Sequence, residues 1–203
     1  MPKLTLRLHQ SFEVQVSSIE STRNKMEILF QNGHINVSDI QHVYAGLYLE
    51  LFTDFEALLE NLFFGLLNGR LFTRTYPVLK KATIAPVTEL KNIVQSGKSY
   101  VAWLPYNDNT LKRAKLYINS GEPFCRINQV EIQKITDYHN IRNAIAHKSE
   151  NSYEKFNLII KDLTLLESEK TPTGYLRSKP SNTQTQFEIA AIELKILTNT
   201  LCA

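Results

Sequence analysis

Cysteine is scarce in this chain: Cys125 and Cys202 are the only two in 203 residues. They stand far apart and match no metal-ligand or redox spacing, which excludes a Cys-built zinc site or thiol redox motif and points to a reducing cytosol. Charge of one sign is scarce as well. The 23 Lys and Arg exceed the 20 Asp and Glu by +3, an excess too small to identify a nucleic-acid binder by itself. Long apolar runs are missing. The start, Met1-Pro-Lys-Leu-Thr-Leu-Arg-Leu-His9, carries no continuous hydrophobic segment, so a soluble, unexported, cytoplasmic protein with no membrane partner is expected. Neither a phosphate-binding glycine loop nor a Gly-x-Ser-x-Gly elbow occurs. His9, His34, His42 and His139 are dispersed with no His-x-x-x-His pair, so no metal or cofactor is expected.

What is present is helical periodicity. With 43% hydrophobic residues the chain can bury one substantial core, and a single domain over 1–203 is the starting expectation. Leu8, Phe12, Val16, Ile19, Met26 and Phe30 recur at three- and four-residue spacing, with Arg23 in the one skipped slot. Asn32-Gly33 ends that helix. Ser38 or Asp39 can cap a second, Leu- and Phe-rich helix from Ile40 to Leu67, closed by Asn68-Gly69. A third starts at Asn128-Gln-Val-Glu131, which resembles a capping box, and runs to about His147. Further helices are expected over Tyr153–Ser168 and Phe187–Leu201, with Thr171–Thr185 as a loop. The fold class is therefore all-α, an up-down bundle of four to five main helices.

Residues 70–126 interrupt the bundle. Pro77, Pro86, Gly97, Pro105, Gly121 and Pro123 leave room only for short helices near 86–96 and 108–119, so the segment reads as an insertion. Residues 69–126 are also basic, with ten Lys and Arg against three acids. Interleaved with Tyr76, Tyr100, Trp103, Tyr106 and Tyr117, the segment could track phosphates and stack bases. A solvated surface over core aromatics is the commoner arrangement.

The third long helix holds the chemistry. At about 100° per residue, Val130, Ile132, Ile135, Tyr138, Ile141 and Ile145, with Ile127, form an apolar arc, while Thr136, Asn140, Asn143 and His147 form a polar stripe. Asn143 and His147, four apart, can contact one ligand group. Arg142 falls inside the apolar arc, where an unpaired guanidinium is costly. A buried acid such as Glu56 or Glu60, an edge position with its head in water, or an anion-binding cleft would each account for it. Guanidinium and imidazole together supply an anion binder and a group that titrates near neutral pH, the two functions phosphodiester cleavage needs.

Ile141-Arg142-Asn143-Ala144-Ile145-Ala146-His147 resembles the Arg-x(4–6)-His signature, in its Arg-Asn-x-x-Ala-His form, of the HEPN superfamily of all-helical ribonucleases. Asp54-Phe-Glu-Ala-Leu-Leu-Glu60 resembles an early helix of that family, and Gly174-Tyr-Leu-Arg177 with Gln186-Phe-Glu188 resembles the C-terminal end of its RiboL-PSP-type subgroup. The resemblance implies a HEPN-like domain and a metal-independent endoribonuclease working as a homodimer with a composite cleft. Arg142 and His147 would be its catalytic pair, with Asn143 orienting the site. Glu56, Glu60, Asn140 and Asp137 would be supporting residues. Implied products are a 2′,3′-cyclic phosphate and a 5′-hydroxyl. A bacterial toxin with a cognate antitoxin, or an antiviral defence effector, is the implied setting. The alternative is a non-catalytic module of the same fold that binds RNA, a nucleotide or a protein partner. His139 stands beside the motif, off the polar stripe, and reads as incidental or supporting.

Overall fold

The computed structural model describes residues 3–75, 77–81, 87–180 and 183–203, with Val87 and Thr88 described by backbone alone. The all-α class expected from the periodicity holds. Among the described residues eight α-helices follow one another: α1 Leu6–Gln31, α2 Val37–Leu67, α3 Val87–Gln95, α4 Lys112–Tyr117, α5 Gln129–His147, α6 Glu150–Ile160, α7 Pro172–Arg177 and α8 Gln186–Cys202. A two-residue parallel pair, β1 Lys3–Leu4 with β2 Leu71–Phe72, is the only named sheet among the described residues. Among these residues no helix is long and apolar enough to cross a membrane.

Local signals set the helix ends. At the end of α1 the amide of Gly33 donates to the Phe30 carbonyl (3.0 Å) and that of His34 to the Leu29 carbonyl (2.9 Å). This closure needs a left-handed residue, supplied by Gly33 at φ +72°. At α2 the cap is Asn36, ahead of the expected Ser38 or Asp39. Asn36 and Asp39 exchange reciprocal bonds, amide to Oδ2 (2.9 Å) and amide to Oδ1 (3.1 Å), which moves the helix start up to Val37. Asn128 and Glu131 form the expected reciprocal pair at α5.

Two expectations for the chain after α5 fail. The helix expected over Tyr153–Ser168 begins earlier, at Glu150 behind the Ser149 cap, and stops at Ile160. Its outer apolar positions Leu163 and Leu166 are 45% and 68% exposed, so no burial rewards further helical turns. The expected loop over Thr171–Thr185 contains α7. Thr171 accepts the Gly174 amide as a cap and Pro172 occupies the first turn, where its missing N–H costs nothing.

The chain divides into two compact units, 1–12, 55–136 and 195–203 forming one, 13–54 and 137–194 the other. In the first, Phe63 meets the rings of Phe64, Trp103, Tyr117 and Phe124 at 5.3–6.1 Å. The segment read as an insertion therefore supplies core. Trp103, Leu104, Tyr106, Leu111, Ile118 and Phe124 are buried, each worth roughly 1.5–3 kcal/mol of transfer free energy. A π-helical turn, Tyr106–Leu111, leads directly into α4 where one short helix over 108–119 was expected.

In the second unit Phe187 of α8 packs against Tyr44 and Tyr48 of α2 at 5.6 and 5.9 Å. Arg23, the skipped slot in α1, is here a buried residue, 5% exposed. Its Nη2 donates to Glu188 Oε1 at 2.5 Å and its Nη1 to the Tyr44 hydroxyl at 3.2 Å. Burial alone would raise the Glu188 pKa. The Thr185 amide and hydroxyl and the Arg23 charge outweigh it and hold the carboxyl below its usual range.

Candidate functional site

The part of α5 in the second unit is anchored by its apolar side. Ile141, Ala144 and Ile145 are buried, the Tyr48 hydroxyl donates to the Tyr138 carbonyl (3.2 Å), and the Tyr138 hydroxyl donates to Glu193 Oε2 of α8. Val130 does not join the expected arc. It lies near the helix start and is 69% exposed.

This anchoring leaves His139, Asn140, Arg142 and Asn143 half-buried and His147 exposed at the last residue of the helix. Arg142 Nη1 donates to Asn143 Oδ1 at 3.0 Å, and Asn143 Nδ2 stands 3.2 Å from His139 Nε2. A neutral imidazole accepts at one ring nitrogen, so the Asn143 amide donates to His139 and turns its oxygen toward Arg142. Burial, then the charges of Arg142, Lys155 and His147, bring the His139 pKa down to about 4, which keeps the ring neutral at neutral pH. Arg142 Nε is buried with no hydrogen-bond partner. A half-buried guanidinium steadied by a neutral amide suits an anion at its exposed side.

Of the other expected residues, Asp137 is half-buried at the start of this stretch. Burial pushes the Tyr138 and Tyr175 phenols up, Glu193 adds to the shift at Tyr138, and the Asp137 charge contributes at both. Glu60, in the first unit, accepts from Trp103 Nε1 (3.1 Å) and pairs with Lys91 (3.4 Å). Those two partners account for it within its own unit. Glu56, also in the first unit, is half-buried.

The base-stacking reading of residues 69–126 is corrected for two of its rings, since Trp103 and Tyr106 are 2% and 0% exposed. Tyr117 packs on Phe63 (6.0 Å), Tyr100 is 70% exposed, and Tyr76 lies outside the described residues. His139 is the residue that periodicity undervalued. Its four-residue spacing from Asn143 was a usable signal, because residues i and i+4 of a helix are neighbours. Among the described residues no cluster of three His, Cys, Asp or Glu side chains could hold a metal ion.

The geometry thus joins a guanidinium, an amide that orients it and a neutral imidazole behind that amide, with an exposed imidazole at the end of the same helix. No family model, no curated protein and no solved structure matches the chain.

Proposed function

We propose that the protein is a metal-independent endoribonuclease of HEPN type, active as a homodimer in which two motif helices form a composite cleft. The observation that carries this reading is Arg142, held through Nη1 by Asn143 with Nε unsatisfied, on the same helix as the exposed His147. In the reaction the 2′-oxygen attacks phosphorus and the bond to the 5′-oxygen breaks. The 2′-hydroxyl proton is lost and the 5′-oxygen gains one, with His147 carrying a proton in one of these transfers. Arg142 stabilises the charge that builds on the phosphate oxygens. The products are a 2′,3′-cyclic phosphate and a 5′-hydroxyl. A toxin restrained by an antitoxin, or an antiviral effector, fits such an activity.

The test is cleavage of labelled RNA in excess chelator, with product ends identified chemically. Arg142→Ala and His147→Ala should each abolish cleavage while circular dichroism and dimer mass are retained. Full activity in both variants, or a requirement for added divalent metal, would overturn the mechanism. Binding of RNA without turnover would support the alternative, a non-catalytic module.

A further inference from the structure

Beside the motif, within the second unit, lies a cleft of about 300 Å³, at the lower end of the roughly 300–1,000 Å³ usual for small-ligand sites. Its apolar lining comes from Ala45 and Leu49 of α2, Ala144 and Ile145 of α5, and Pro172 of α7. Ala144 and Ile145 are two of the three residues between Asn143 and His147 in the motif, so the cleft and the candidate catalytic residues share one helix segment. The polar lining consists of Gln41, His42, Lys148, Tyr153, Thr171 and Thr173. Among the described residues no carboxylate lines it.

One backbone and one side-chain feature prepare this lining. Lys148 follows the last residue of α5 at φ 49°, a left-handed conformation that lets the chain turn into α6. His42 places Nδ1 2.7 Å from the Ser38 carbonyl. A carbonyl only accepts, so Nδ1 carries the proton and Nε2 of the neutral ring is an acceptor.

We infer that this cleft receives a ribonucleotide, with Lys148 meeting its phosphate and the apolar lining with Tyr153 meeting its base. The inference rests on the ribonuclease reading and deepens it, assigning the cleft to a nucleoside flanking the cleaved bond. Three properties of the lining select this ligand. A cation without a carboxylate calls for an anion, an apolar surface with an aromatic ring calls for a flat hydrophobic body, and an amide with two threonine hydroxyls calls for hydrogen-bonding edges. A mononucleotide combines all three.

The test is calorimetric titration of the full chain with uridine and adenosine 3′-monophosphates, inorganic phosphate and free uridine. Ala45→Trp fills the cleft and Lys148→Glu reverses its charge at an exposed position. The Kd for at least one nucleotide should rise at least tenfold in both variants, with unfolding midpoints near wild type. In the unaltered chain that nucleotide should bind at least tenfold tighter than phosphate or uridine alone. Unchanged nucleotide affinity in Lys148→Glu, or phosphate binding as tightly as the nucleotides, would overturn the inference. Cleft-dependent nucleotide binding by a chain that cuts no RNA supports the cleft and sinks the ribonuclease reading. RNA cleavage that needs His147 but shows no cleft-dependent binding does the reverse.

Discussion

Asn143 Nδ2 stands 3.2 Å from His139 Nε2, and this contact fixes which end of the Asn143 amide faces Arg142. With the NH2 group committed to the ring, Oδ1 is left to accept from Arg142 Nη1 at 3.0 Å. His139 thereby acts on the site through Asn143, as a positioning residue one helical turn away.

A conservative substitution separates this positioning role from mere packing. His139→Gln places an amide oxygen where the ring acceptor was and should retain RNA cleavage within a few-fold. His139→Leu and Asn143→Leu should each lose activity on the order of a hundredfold in kcat/KM, since a small misplacement of a charged group costs that much. Initial rates on a labelled oligoribonucleotide decide it. Equal losses in the Gln and Leu variants of His139 would refute the hydrogen-bond relay.

The same ring gives the fold a pH dependence. Its folded pKa, about 4, lies below the ordinary histidine value, so between the two the unfolded chain binds the extra proton. This contribution is complete above about pH 6.5 and is lost as pH falls toward 4, amounting to at most about 3 kcal/mol and less where solvent screens the ring. Urea unfolding from pH 4 to 7 should show a shallower slope in His139→Gln than in wild type. An identical slope would mean that another group carries the dependence.

Breaking the Arg23–Glu188 pair should be costly, because Arg23 is only 6% exposed at its side chain. Glu188→Ala leaves that guanidinium with the Tyr44 hydroxyl and the Asn24 side chain as its remaining partners. The expected loss is about 3–5 kcal/mol, measured by chemical denaturation. Arg23→Met, which removes the charge but keeps the apolar stem, should cost less in the double variant with Glu188→Leu than as a single change.

Gly174 is required by a close approach. A Cβ there would collide with the Ser168 carbonyl oxygen and sit 2.8 Å from Thr171 Oγ1. Gly174→Ala should destabilise by about 1–3 kcal/mol through overpacking against backbone. Because Thr171, Pro172 and Thr173 line the nucleotide cleft, the same variant should also weaken nucleotide binding. A wild-type midpoint together with wild-type affinity would show that α7 yields without consequence.

The sequence by itself determined the all-α class, the turns at Asn32-Gly33 and Asn68-Gly69, the Asn128–Glu131 cap and the placing of Arg142, Asn143 and His147 near one helix end. Each is a signal confined to a turn or two of backbone, where capping bonds and periodicity act without reference to the rest of the chain. Even the Thr171-Pro172 start of α7 was written in that local code, though its six residues were too few to show a period. Tertiary structure alone decided the rest. Arg23 meets a partner 165 residues away, Trp103 enters the core instead of offering a stacking surface, and α2, α5 and α7 come together around a cleft. Such facts depend on which surfaces face one another after packing, and hydrophobic burial, being non-directional, does not specify that within any one segment.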